Sequence, residues 1–299
     1  MTLPHTATAA ADYLFDLDGY VLLKQTLSPS EVSRLNATLD GFPATAPGGW
    51  HGRVQRQDHD EQRGINWQNV TEGGPPFEEL IDHPAWIRHV CRWVGNRQSL
   101  WIDEAFANVR GPGGAINVHG GATAGDGAIN YHGQYHHDNG VFHCGQVNVL
   151  VALTYIGPGD GATCLVPCSH KSSLTHPAQT GVVARAMDDG GLMVGATEIH
   201  MRAGDAAVFV DSLAHGSVRR SNPEERRTVV YRYCPSLRRS RFGYRPSAEL
   251  LARLTPERAA LVSRGAPAEN LPPEALREEL EALPLEELRK LLRAKEAKL

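Results

Sequence analysis

The sequence predicts a mainly β domain, a sandwich or barrel, with helices before and after it. Three observations carry the prediction. Between residues 100 and 235 short apolar runs ("SLWIDEAFANVR", "GAINVHGG", "QVNVLVALTYI", "ATCLVPCSH", "TEIHMRAGDAAVFV", "RRTVVYRYCP") are separated by Gly, Pro and Asp turns, the punctuation of successive strands. Ahead of them "TLSPSEVSRLNATLDGF" reads as a capped helix, and after Pro235 the chain becomes helical and highly charged. At 299 residues the chain can bury a substantial core, enough for one large β domain with helical additions. The division read from the sequence is residues 1–245 as that domain, N-terminal helices included, and 246–299 as a helical extension.

Composition narrows the class further. Apolar residues make up 41%, charged residues 21%, and the net charge is −4. A nucleic-acid binder would show a basic face; the basic clusters here ("RRSNPEERR", "SLRRSRFGYR") sit beside acids or are short. "MTLPHTATAAADY" lacks the basic-then-apolar pattern of a secretory leader, and no stretch approaches the roughly 18 apolar residues of a membrane span. The expectation is therefore a cytoplasmic protein. Five scattered cysteines (Cys91, Cys144, Cys164, Cys168, Cys234) fit free thiols. Cys164, Cys168 and His170 have the look of a zinc cluster but lack a matching second pair of ligands.

In chain order, "GYVLLKQ" reads as a strand. The helix after it opens with Ser28 as N-cap, Pro29 at the first helical position and Glu31 three residues after the serine, a capping box, and Val32, Leu35 and Leu39 share one face. Residues 43–80 are rich in Gly, Pro, Gln and Asn with little periodicity and read as a long loop, ordered by Trp50 and Trp67. "HPAWIRHVCRWVG" is a second helix, with Trp86, Val90 and Trp93 spaced for burial. In the C-terminal extension Leu276, Leu280 and Leu283, then Leu288, Leu291 and Leu292, form apolar stripes that suit capping of the domain or a homodimer contact.

Two segments carry a resemblance. "GPGDGATCLVPCSHKSS" and "AGDAAVFVDSLAHGSVRRSNPEERRTVVYRY" are similar to the "nG…vPGSHK" and "GD…f…HGS…R" segments of the phytanoyl-CoA dioxygenase family of iron(II)/2-oxoglutarate oxygenases. The order of pieces matches from "FDLDGYVLL" to about "RYCP". Cys168 departs from the family's glycine before Ser-His. The resemblance implies a double-stranded β-helix, a jelly-roll, cupin-like barrel holding Fe(II) at its mouth with two imidazoles and one carboxylate, and 2-oxoglutarate as co-substrate. It implies His215 in "AHGSV" as the distal metal ligand, Arg226 as the fork for the far carboxylate of 2-oxoglutarate, and Ser217 as a hydroxyl to the same group. Arg227 rivals Arg226, since a one-residue slip in a strand reverses its face.

The first ligands are less direct. His136 and Asp138 in "QYHHDNGVFHCG" spell H-x-D, and residues two apart on a strand share a face. Against them, Asp138-Asn139-Gly140 signals a two-residue hairpin. An inserted hairpin near the site's mouth would shift the first ligand upstream to His119 in "NVHGG", leaving Gly121 where the family has Asp. The missing carboxylate would then come from Asp211, four residues before His215, or the position would be vacant for a halide as in oxygenase-fold halogenases. His132, His136, His137 and His143, with Tyr131 and Tyr135, would form a lid over the substrate.

The resulting expectation is an Fe(II)- and 2-oxoglutarate-dependent dioxygenase that hydroxylates a small polar molecule using O2. Its metal ligands are His119, Asp211 and His215, with Arg226 and Ser217 for 2-oxoglutarate; His136 and Asp138 remain the alternative. A jelly-roll binding module without catalysis, or a cupin-like metalloenzyme needing no 2-oxoglutarate, would share the same pattern.

Overall fold

The structure, a computed structural model, describes residues 9–58, 64–95, 100–120, 133–177, 194–236 and 244–263. It begins with a helix the sequence reading did not foresee, α1 (Ala9–Asp18), whose Ala11 and Phe15 are buried. Strand β1 (Tyr20–Leu23) follows, then α2 (Pro29–Asp40). The capping box forms at α2: Glu31 N donates to Ser28 Oγ at 3.3 Å and Ser28 N donates to Glu31 Oε2 at 2.7 Å. Such a cap is worth about 1 kcal/mol. Val32, Leu35 and Leu39 turn into the core.

Residues 43–80 are not a plain loop. They contain β2 (Trp50–His51), β3 (Val54–Arg56) and β4 (Ile65–Gln68), a 3-10 turn at Val70–Glu72 and the short helix α3 (Pro75–Glu78). The strands escaped a periodicity reading because they are two to four residues long and their partner-facing positions are polar. Helix α4 (Ile87–Val94) buries Val90 and Trp93 completely, with Trp86 just ahead of it.

The body is two facing antiparallel sheets. Its remaining strands are β5 (Leu100–Arg110), β6 (Ile116–His119), β7 (Tyr135–Asp138), β8 (Val141–Cys144), β9 (Val147–Ala152), β10 (Thr163–Leu165), β11 (Thr197–Ile199), β12 (Ala206–Val210), β13 (His215–Ser217) and β14 (Arg226–Pro235). The large sheet runs β1-β12-β9-β14-β5-β4-β3-β2 and the small one β11-β10-β13-β6. This is the double-stranded β-helix expected of the sequence. β7 and β8 form a separate two-stranded ribbon.

Alternation along β14 sorts the two faces of the large sheet. Arg226, Thr228, Val230 and Arg232 point between the sheets. Tyr231 and Tyr233 point outward under the helices, where Tyr231 Oη donates to Phe77 O at 2.6 Å and Tyr233 Oη to Ile81 O at 2.9 Å. Trp86 Nε1 in turn donates to Tyr233 Oη at 3.1 Å, so the outer face carries satisfied aromatic polar groups and the inner face is left for a cavity.

At the C-terminal side α5 (Ala248–Arg253) and α6 (Pro256–Val262) dock through Leu250 and Leu261 and through ion pairs from Arg253 to Glu78 and Arg258 to Asp82. The leucine stripes from Leu276 to Leu292 lie outside the described residues. Among the described residues no helix is long and apolar enough to cross a membrane. All five cysteines are free thiols.

Candidate active site

A cavity of about 460 Å³ opens between the two sheets, lined from below by β4, β5, β9 and β14 and from above by β6, β10 and β13. His119, Asp211, His215, Ser217 and Arg226 all line it.

The two histidines meet because β6 pairs with β13, setting His119 opposite His215. Their ring centroids are 4.0 Å apart. Each ring is held the same way: His119 Nδ1 bonds Asn117 O at 2.8 Å and His215 Nδ1 bonds Leu213 O at 2.6 Å. A carbonyl oxygen can only accept, so Nδ1 carries a proton in both rings, and in the neutral imidazole Nε2 is then the atom that can ligate. Burial, and then the neighbouring His119, push the His215 imidazole down to about 3, with Asp211 opposing. Two neutral imidazoles oriented by carbonyls are the form in which histidine ligates a metal.

Gly120 explains why the chain after His119 cannot follow the usual H-x-D geometry. Its φ is +74°, and a Cβ there would sit 2.5 Å from both Asp211 O and Leu213 O and 3.0 Å from His215 Nδ1. The strand ends at His119, and Gly120 turns left-handed against the segment leading into the distal histidine. Gly121 lies outside the described residues.

Asp211 is buried, and its Oδ1 accepts from Asn148 Nδ2 at 3.0 Å. Among the described residues no group of three His, Cys, Asp or Glu side chains stands close enough to hold a metal ion. Thus the structure brings His119 and His215 together and places Asp211 on the wall of the same cavity without joining the three. Cys164, Cys168 and His170 form no such group either.

The second H-x-D is elsewhere. β7 and β8 form a tight hairpin through Asn139 (φ 52°) and Gly140 (φ 79°), the positive φ values of a primed turn. His136, Asp138 and His143 are exposed, and none of them lines the cavity. The hairpin also departs from the expected lid. Phe142 packs on Phe15 of α1 at 6.0 Å, Tyr135 Oη donates to Asp16, and the Tyr135 ring meets His170 edge-on at 4.5 Å. Its aromatic residues are thereby spent on α1 and on His170. Tyr131 and His132 lie outside the described residues.

At the far corner Arg226 is 3% exposed and donates from Nη2 to Thr163 Oγ1 at 3.0 Å, while its Nε has no partner. Burial, then Arg110 and Arg220, push it down to about 9, and the nearby Asp160 already pairs with Arg220 at 2.9 Å. Cations gathered in a dry corner call for an anion. Ser217 Oγ accepts from Arg110 Nη1 at 2.6 Å and from Ile116 N at 3.3 Å. Neither partner can accept, so the hydroxyl proton of Ser217 is left to donate. Arg227 faces the other way and pairs with Asp40 at 2.7 Å and Glu225 at 2.8 Å.

Sequence reasoning missed Arg110, Thr163 and Asn148. Each sits inside an ordinary strand pattern, and only the pairing of distant strands gives it a role.

Residues 15–228 match the model of the phytanoyl-CoA dioxygenase (PhyH) family. No curated protein matches the chain by sequence. Among solved structures, HygX from Streptomyces hygroscopicus with nickel and 2-oxoglutarate bound is similar at 20% identity and TM-score 0.64, covering 89% of this chain and 98% of its own. HygX with nickel, 2-oxoglutarate and hygromycin B bound gives 21% and 0.65, covering 90% and 99%. The non-heme alpha ketoglutarate dependent epimerase SnoN from nogalamycin biosynthesis gives 18% and 0.54, covering 88% and 91%. At these identities the likeness is one of fold.

Proposed function

We propose, from the premise that this chain belongs to the phytanoyl-CoA dioxygenase family, that it hydroxylates a small polar organic substrate, with conversion of 2-oxoglutarate and O2 to succinate and CO2. The enzyme class follows from the family: a 2-oxoglutarate-dependent non-heme iron enzyme. Iron(II), when bound, supplies the oxygen activation that couples decarboxylation of the co-substrate to oxidation of a C–H bond.

The residues present fit both groups. His119 and His215 would hold the metal through Nε2, since their Nδ1 atoms are committed to Asn117 O and Leu213 O. Asp211 is the carboxylate proposed to complete the set, with Asn148 steadying its Oδ1. Arg226 and Ser217 would hold the distal carboxylate of 2-oxoglutarate, one through a planar guanidinium and the other through its hydroxyl proton. Thr163 keeps the guanidinium aimed, and Arg110 keeps the serine hydroxyl turned. The two sheets bracket the space between these poles.

The observation that carries the reading is a facing pair of carbonyl-oriented histidines in one cavity with a buried corner whose unmet groups are donors. The test is anaerobic titration with iron(II) and 2-oxoglutarate, following the visible charge-transfer band of the chelate. Wild type and Asp138→Ala are expected to give the band and His119→Ala to lose it. Loss in Asp138→Ala with retention in His119→Ala would move the metal to the hairpin, and no band in wild type would leave a binding module or a cupin-like metalloenzyme.

A further inference from the structure

The cavity has two kinds of unmet hydrogen-bonding demand, and they are separated. Around Arg226 and Ser217 the groups seeking partners are donors. Along the floor formed by β4 and β9 they are acceptors. Asn66 Oδ1 and Asn148 Oδ1 belong to cavity-lining residues 3% and 0% exposed, and neither oxygen has a partner. The orientation of Asn148 is decided by chemistry: its Nδ2 donates to the Asp211 carboxylate, so its oxygen must be the atom left over. Gln68 repeats the pattern, giving Nε2 to the cavity-lining Glu104 at 2.7 Å and leaving a buried Oε1 unpartnered. Glu104 adds a carboxylate, ion-paired with Arg232 at 3.0 Å. On the neighbouring β14, outside that floor, Arg232 Nε is an unpartnered donor, on a guanidinium whose Nη1 pairs with Glu104.

Leaving a buried acceptor unmet is destabilising. A ligand that brings hydroxyl or ammonium hydrogens removes that cost, whereas an alkyl chain has no donor to offer and leaves it in place. An anionic ligand would meet Glu104 and the carbonyl oxygens with like-signed charge. We propose that this floor is the substrate subsite and that it takes a polyol or amino-polyol, read by the carboxamide oxygens of Asn66 and Asn148. The inference rests on the oxygenase reading above and specifies its substrate class.

Asn66 is the residue to change, because it lies on β4 away from the histidines and from Arg226. Calorimetric titrations would use the protein loaded anaerobically with iron(II) and 2-oxoglutarate, with myo-inositol, glucosamine and kanamycin as probes and palmitate as the apolar counterpart. We expect wild type to bind at least one hydroxylated probe and not palmitate. Asn66→Leu should weaken that binding about tenfold or more, the loss of one buried hydrogen bond. Asn66→Asp, which keeps an acceptor, should retain it, and 2-oxoglutarate affinity should be equal in all three proteins. Binding of palmitate instead, no hydroxylated probe bound while 2-oxoglutarate binds normally, or wild-type probe affinity in Asn66→Leu would each overturn the proposal. Failure of wild type to bind 2-oxoglutarate would instead sink the oxygenase reading and this inference with it.

Discussion

Arg226 of β14 stands directly opposite Arg110 of β5 in the antiparallel pair, and both guanidiniums are buried. Burial first, and then repulsion from Arg110 across the strand pair, make Arg226 hold its proton less firmly than an ordinary arginine. Their arrangement suits a seat for a bound anion.

Removing the inner guanidinium should abolish co-substrate capture while removing its neighbour should not. Arg226→Ala is expected to raise the apparent Kd for 2-oxoglutarate at least ~30-fold, the low end of about 2–5 kcal/mol for losing a buried charge partner. Arg227→Ala, which only breaks pairs to Asp40 and Glu225, should stay within about twofold. Charge-transfer titrations of the two variants make the comparison.

Ser217→Ala deletes a hydroxyl whose proton has no acceptor within its own bonds and unseats the Arg110 contact. Its Kd for 2-oxoglutarate should rise roughly tenfold to hundredfold, the effect of a hydrogen bond to a charged group. Metal affinity measured without 2-oxoglutarate should not change.

Asp211→Ala tests the proposed third ligand. Iron(II) affinity, read from the charge-transfer band at limiting metal, is expected to fall by an order of magnitude or more. An unchanged affinity, together with chloride-dependent changes in the spectrum, would favour a halide at that position.

Gly120→Ala should damage the site and the fold together. The left-handed backbone costs a non-glycine residue about 1–3 kcal/mol, and the new Cβ must displace the carbonyls of Asp211 and Leu213. A lowered Tm with loss of the iron(II) and 2-oxoglutarate band is the expected result.

Stability should decline in mild acid through His170. Its Nε2 bonds Asp16 O at 3.1 Å, its Nδ1 is buried without a partner, and burial pushes the ring down to about 4. Because the folded pKa lies below the unfolded value of about 6.5, this contribution is complete above pH ~6.5 and is lost as pH falls toward 4. Denaturant midpoints across that window should drop in wild type and drop less steeply in His170→Gln.

Much of this architecture was legible locally. Ser28 and Glu31 announced their helix, the Asp138-Asn139-Gly140 turn announced its hairpin, and the apolar runs after residue 100 announced strands. Strands β2 to β4 were not legible, because they are short and because Asn66, which lines the cavity, and Gln68, which bonds Glu104, break the apolar alternation by which a strand is recognised.

The amino-acid sequence by itself determined what depends on short-range dihedral preference and period: caps, turns, strand runs, and the certainty that Arg226 and Arg227 point to opposite faces. Only the tertiary structure decided which of the two faces inward, that His119 lies across from His215, and that Arg110 turns the Ser217 hydroxyl. Those relationships are matters of register between strands up to about a hundred residues apart, and register is settled by the packing of two whole sheets rather than by any neighbouring residue.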